Sequence, residues 1–201
     1  MSTKNSNFFS RDCMVQALIQ LLKTKSLSNI TITELTERAG VSRMTYYRNY
    51  HSLDEIFSSY LKDLVESYRQ DVATWPDKGN YNDSRNMLHC YEYFNHYKEF
   101  IACLVQTGLG HLLLQALDSY ILDTYYTEDK GQDFYYTLRA FSGSLYNIYV
   151  TWILEDSKES AEEIVSIICK IYSWVPRSVL HSNSAKDCAK YAVLYYLIIY
   201  L

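Results

Sequence analysis

Apolar positions along this chain recur at intervals of three and four residues, the period of an amphipathic helix, and no stretch alternates polar with apolar as a half-buried strand does. In "SRDCMVQALIQLLKTKS", Val15, Leu18, Ile19 and Leu22 stand at i, i+3, i+4 and i+7. The pattern predicts a first helix capped by Ser10, with Lys23 and Lys25 at the carboxyl end, where the helix dipole favours cations. In "SNITITELTERAGVS", Ile32, Leu35 and Ala39 share a face, Thr31 and Glu34 have capping-box spacing, and Gly40 suits the left-handed residue that ends a helix. Ser42 then caps a third short helix, "RMTYYRNY", and Ser52 with Glu55 opens a longer fourth one.

Farther along, "DSRNMLHCYEYFNHYKEFIACLVQTGLGHLLLQALDSYILDTYY" predicts at least two helices broken near Thr107–Gly110. "GQDFYYTLRAFSGSLYNIYVTWIL" predicts another. A last one, "KESAEEIVSIICKIYSWV", opens on a Ser160/Glu163 capping box and carries Ile164, Ile167, Ile168 and Ile171 on one face. The expected class is therefore all-α. The tail from Tyr191 to Leu201 has no charge at all, is too short to span a bilayer, and is expected to be buried against the body or in a dimer.

Composition supports the helical reading: six glycines and two prolines in 201 residues leave few breakers. The amino terminus lacks the basic-then-apolar order of a signal peptide, and no run reaches the ~20 apolar residues of a spanning helix, so a cytoplasmic protein without a membrane partner is expected. The five cysteines are scattered, with no C-x-x-C pair, and are expected to be buried and reduced.

Charge divides the chain. Residues 1–53 carry seven Lys/Arg against three acids, whereas residues 54–201 carry twelve against twenty. A basic head on an acidic body points to a polyanion partner for the head alone. The head also has the right geometry: two short helices joined by three or four residues containing Gly form a helix-turn-helix unit, whose second helix enters the DNA major groove. On that second helix Arg43, Thr45, Tyr47, Arg48 and Asn49 are long or hydrogen-bonding, while Tyr46 and Tyr50, at i and i+4, suit its inward face. Burying two unpaired arginines would cost several kcal/mol.

"ITITELTERAGVSRMTYYRNYHSLDEIF" resembles the amino-terminal DNA-binding region of the TetR family of bacterial transcriptional regulators, in which an "A-G-V-S" turn leads into a recognition helix bearing "T-x-Y". The resemblance runs from about Phe8 to Phe57. It implies a DNA-binding head over 1–57 and a helical effector-binding and dimerisation body over 58–201. Within the head it implies groove-facing roles for Thr33, Arg43, Met44, Thr45 and Tyr47, with Ser42 at the cap before them, core roles for Tyr46 and Tyr50, and phosphate-side roles for Arg48, Asn49 and His51.

Two positions depart from the family pattern. Met44 stands where a small residue is usual, and either touches a thymine methyl or packs on the preceding helix. Leu53 replaces a phosphate-holding Lys, which implies weaker anchoring, because phosphate contacts position while base contacts specify. The final two helices resemble, more loosely, those that build a four-helix dimer interface in small regulators of low-GC Gram-positive bacteria.

Most of the 21 tyrosines lie in the body. Tyr93, Phe94, His96, Tyr97 and Phe100, with Tyr146, Tyr149 and Trp152, are candidates to line a pocket for a small hydrophobic or aromatic effector; each of these rings is also ordinary core material. His89 and His96 are seven residues apart, ~10 Å along a helix, too far to share one metal ion. No nucleophile elbow or phosphate loop stands out, so neither enzyme activity nor a cofactor is expected. A single recognition helix reads few base pairs, so a homodimer on a palindromic operator is expected. The resulting expectation is a repressor released from double-stranded DNA by an effector. The alternative is an interaction module, acting as an activator or co-regulator through a protein docked on the body.

Overall fold

The computed structural model describes residues 3–77 and 79–173, and within them the chain is helical with no strand. The described elements are α1 (Thr3–Leu22), α2 (Ile32–Ala39), α3 (Arg43–Asn49), α4 (Leu53–Ala73), α5 (Ser84–Asn95), α6 (Lys98–Gln106), α7 (Gly110–Tyr125), α8 (Gly131–Leu154) and α9 (Ala161–Ser173). The all-α expectation holds. The apolar tail from Tyr191 and Cys188 lie outside the described residues.

The first helix begins earlier than its sequence suggests. α1 starts at Thr3, so Ser10 sits inside the helix rather than at its cap. A serine caps only when the chain enters the helix in an extended conformation, and nothing between Thr3 and Ser10 breaks the helix.

Local signals account well for the next three elements. Thr31 Oγ1 accepts from the Glu34 amide at 3.2 Å and Glu34 Oε2 from the Thr31 amide at 3.4 Å, a complete capping box. Gly40 closes α2 at φ +66°, a backbone that Cβ-bearing residues rarely adopt, and the Val41 amide reaches back to the Thr36 carbonyl at 3.0 Å. Ser42 Oγ accepts from the Thr45 amide at 3.1 Å to start α3. At α4 the box is displaced: Ser52 Oγ accepts from the Glu55 amide at 3.2 Å, but the Glu55 carboxylate bonds the His51 amide, at 2.6 Å. Ser160 and Glu163 form a reciprocal pair at 3.2 and 2.8 Å before α9.

α1, α2, α3 and the first turns of α4 close around Leu18, Leu35, Tyr46, Tyr50, Ile56 and Phe57, each 1% exposed or less. α4 continues unbroken through residues 57 and 58, so the expected division between head and body falls within one helix. That helix is the spine of the molecule. Phe57 and Tyr60 pack on Phe100 of α6, with ring centroids 5.8 and 4.8 Å apart, while Val65 and Tyr68 face the body.

The body contains a further break: α5 ends at Asn95 and α6 begins at Lys98, before the expected break near Thr107–Gly110. α6 and α7 meet across that second break at 120°, and no single described helix is long and apolar enough to cross a membrane. α9 packs on α5 and buries Ile164, Val165 and Ile168. Ile167 and Ile171, expected on the same face, are 46% and 52% exposed.

Candidate nucleic-acid interface and body cavity

α3 is seven residues long and two-faced. Tyr46 and Tyr50, each 1% exposed, form its inner face, their rings tilted at 49° with centroids 6.0 Å apart. Burial raises both phenols above their usual pKa, so they are neutral packing groups. The outer face presents Arg43, Met44, Tyr47 and Arg48, with Met44 77% and Tyr47 57% exposed. Met44 therefore does not pack on α2, which removes one of its two sequence-level readings.

Four of the head's other cations are partnered. Lys25 pairs with Glu34, Lys23 with Glu99 at 3.8 Å, Arg11 with Asp63 at 2.6 Å, and Arg38 donates to the Gln20 side chain at 3.1 Å. The Lys25 ammonium, hydrogen-bonded to Glu34, holds that carboxyl below its usual range. Arg43 and Arg48 have no ion-pair or hydrogen-bond partner among the described residues. The two unneutralised guanidinium groups thus lie on the helix that also exposes an apolar side chain and a phenol.

The remaining candidates of the head fall into two groups. Thr33, at the start of α2, and His51, before α4, are exposed. Ser42, Thr45 and Asn49 are already engaged locally: Ser42 Oγ lies 2.9 Å from Thr45 Oγ1, and Asn49 Nδ2 donates to the Thr45 carbonyl at 2.7 Å. These bonds hold the helix ends. Leu53, the first residue of α4, is half-buried against the core.

In the body, α4, α5, α7 and α8 enclose a cavity of about 50 Å³. Its walls include Val65, Tyr68, Tyr91, Leu113, Tyr146 and Tyr149, and no Asp, Glu, Lys, Arg or His lines it. Of the eight expected pocket residues, Phe94, Tyr146 and Tyr149 line it, and the other five lie elsewhere. Tyr93 lies on α5 and Phe100 on α6, with His96 and Tyr97 in the break between them, so these residues form no single helical stripe. Phe100 packs on Phe57 and Tyr60 of α4 instead. Exposed His96 bonds the Glu92 carbonyl through Nδ1 at 2.7 Å. Trp152 seals the α8 end, its Nε1 donating to the Glu159 carbonyl at 2.9 Å.

The wall residues of α5 not singled out from sequence are Cys90 and Tyr91; Tyr91 stands with Met87 and Phe94 at i, i+4 and i+7. That signal was present, but aromatic residues on every side of this helix masked it.

Burial governs the chemistry of the cavity. Desolvation pushes the Cys90 thiol up to about 12, and raises the Tyr68, Tyr91 and Tyr149 phenols far above their usual value. All four are therefore uncharged near neutrality. The Tyr91 hydroxyl donates to the Leu145 carbonyl at 3.2 Å, whereas the shielded Tyr149 hydroxyl has no hydrogen-bond partner among the described residues.

No family model matches the chain. It is 25% identical over 166 residues to an uncharacterised HTH-type transcriptional regulator, YxbF, of Bacillus subtilis (strain 168), a match covering 79% of this chain and 43% of that protein. The chain thus spans less than half the length of that curated relative. Among solved structures, the fatty acid degradation regulator FadR of Bacillus halodurans overlays with a TM-score of 0.56 at 14% identity, over 84% of this chain and 96% of that one. A transcriptional regulator from Rhodococcus sp. Rha1 overlays at 0.50 and 14%, over 80% and 94%. The overlays show that the chain shares the fold of those two solved proteins. In this chain α2 and α3 are short helices joined through the Gly40 turn, and α4 links them to the body.

Proposed function

We propose that the protein is a DNA-binding transcriptional regulator that acts as a homodimeric repressor on a palindromic operator. The observation that carries this reading is the outer face of α3, where exposed Arg43 and Arg48 lack any described partner while Arg11, Lys23, Lys25 and Arg38 are held by neighbours. Arg43, Met44 and Tyr47 read base edges, Thr33 and Thr45 flank them, and Arg48, Asn49 and His51 lie toward the phosphates, with the Ser42 cap fixing where the helix enters. The amino-acid match to a protein named as an HTH-type regulator supports the same reading.

Dimerisation rests on where the apolar surface lies. Among the described residues, the large exposed apolar side chains outside the head are Tyr136, Leu154, Ile167 and Ile171, all on α8 and α9. Two copies meeting there bury what one copy leaves in water. The body's cavity receives an effector, and Val65 and Tyr68 carry its presence along α4 to Ile56 and Phe57 in the head. Such a regulator works where its operator DNA lies, in the cytoplasm.

A mobility shift with the protein's own upstream region at physiological salt tests the function. We expect a specific shift that Arg43→Ala and Tyr47→Ala each weaken at least ten-fold. The absence of a specific shift, with no effect of either change, would overturn the reading.

A further inference from the structure

The short polar side chains of α3 already have partners within the helix. Ser42 Oγ accepts from the Thr45 amide and lies 2.9 Å from Thr45 Oγ1, and Asn49 Nδ2 donates to the Thr45 carbonyl at 2.7 Å. What the outer face leaves for a duplex is Arg43, Met44, Tyr47 and Arg48, all exposed.

Met44 is the one of these without a polar group at its tip. It is the second residue of α3, in the amino-terminal turn that a recognition helix presents to base edges. At 77% it is more exposed than any other large apolar side chain among the described residues. A thioether has no N–H or O–H to donate and its sulfur accepts only weakly, so Met44 is a poor reader of hydrogen-bonding groups. The apolar feature of the major groove is the C5 methyl of thymine, and an unbranched, adaptable side chain suits contact with it. Arg43, adjacent in the chain and without a described partner, carries the fork of donors that matches the O6 and N7 acceptors of guanine.

We infer that Met44 is a specificity-determining residue that reads the C5 methyl of a thymine, in a base pair next to a guanine taken by Arg43, in each half-site. This deepens the DNA-binding reading above and rests on it. Sequence choice at that position then depends on a methyl group and not on a hydrogen bond.

Selection by the full chain from a random-sequence duplex library supplies the consensus for the test. We expect each half-site to hold a T·A pair beside a G·C pair. Replacing that thymine by deoxyuridine, which pairs identically but lacks the methyl, should weaken binding about four-fold per replacement, the worth of one methylene-sized group withdrawn from apolar contact. Met44→Ala, an exposed change that leaves the inner face of α3 untouched, should bind the thymine and deoxyuridine duplexes equally. Met44→Leu, which keeps an apolar side chain of similar size, should retain most of the difference. Neither variant should change the slope of log K against log salt, because no phosphate contact is lost. A consensus without a T·A pair beside a G·C pair, thymines that all tolerate deoxyuridine, or a deoxyuridine penalty that persists undiminished in Met44→Ala overturns the inference and leaves the DNA-binding reading standing. Selection of no consensus at all overturns both.

Discussion

Arg11 of α1 donates through Nε to the Tyr50 hydroxyl at the end of α3, across 3.3 Å. Its Nη2 meets Asp63 of α4 at 2.6 Å and also bonds Ser59. One guanidinium therefore ties the carboxyl end of the recognition helix to the helix that leads into the body, a geometry that suits a planar fork of donors better than a Lys ammonium.

Arg11→Ala removes this tie. We expect a loss of about 1–2 kcal/mol in urea unfolding, because the partners remain partly solvated. Arg11→Lys should recover only part of it. Tyr50→Phe, which deletes a single bond, should cost less than Arg11→Ala; equal costs would show that the Tyr50 bond dominates.

Leu53 stands at the first position of α4, where a phosphate-holding cation was expected. Leu53→Lys should tighten DNA binding and steepen the dependence of log K on log salt by about 0.9, the increment of one added phosphate contact. Unchanged affinity with an unchanged slope would refute this.

Gly110 is buried at the start of α7, and a Cβ placed there lies 2.6 Å from the Tyr146 hydroxyl. Gly110→Ala should push that ring into the cavity, destabilise the protein by about 1–3 kcal/mol, and abolish binding of small apolar molecules. Calorimetric titration and thermal melting read the two effects separately. Retained binding would mean that Tyr146 yields outward.

Asp156 follows α8 at φ 63°, where an L side chain is strained. Asp156→Gly is expected to raise stability by up to about 1 kcal/mol, the relief being offset in part by glycine's freedom in the unfolded chain. A lower melting temperature would contradict this.

Stability should also fall in alkali. Cys90 has its pKa raised from 9.0 to about 12, and burial raises Tyr91 and Tyr149 as well. Between pH 9 and 12 the unfolded chain therefore releases protons that the folded chain retains, so stability is fully present below pH 9 and is lost as pH rises. Melting temperatures from pH 7 to 11 should hold steady and then decline from about pH 9; a flat or rising profile would contradict the neutral cavity.

Much of the head was legible because its signals are local. The Thr31–Glu34 box, the Gly40 turn, the Ser42 cap and the Tyr46/Tyr50 pair each act within about four residues, and each is seen in the structure. The cavity was less legible. Its walls come from four helices, and a break at His96–Tyr97 without Gly or Pro put Phe100 on another helix. Ile167 and Ile171 show the same limit: helical period gives the apolar face of α9, but the fold buries only the half that meets α5.

The central claim, that two copies of α3 read one DNA duplex, is tested most directly by footprinting the protein on its operator. The account predicts two symmetric protected half-sites whose centres lie about 34–36 Å apart or a multiple of that, both lost together in Arg43→Ala. Protection of a single unpaired half-site, or a footprint that Arg43→Ala leaves intact, would contradict it.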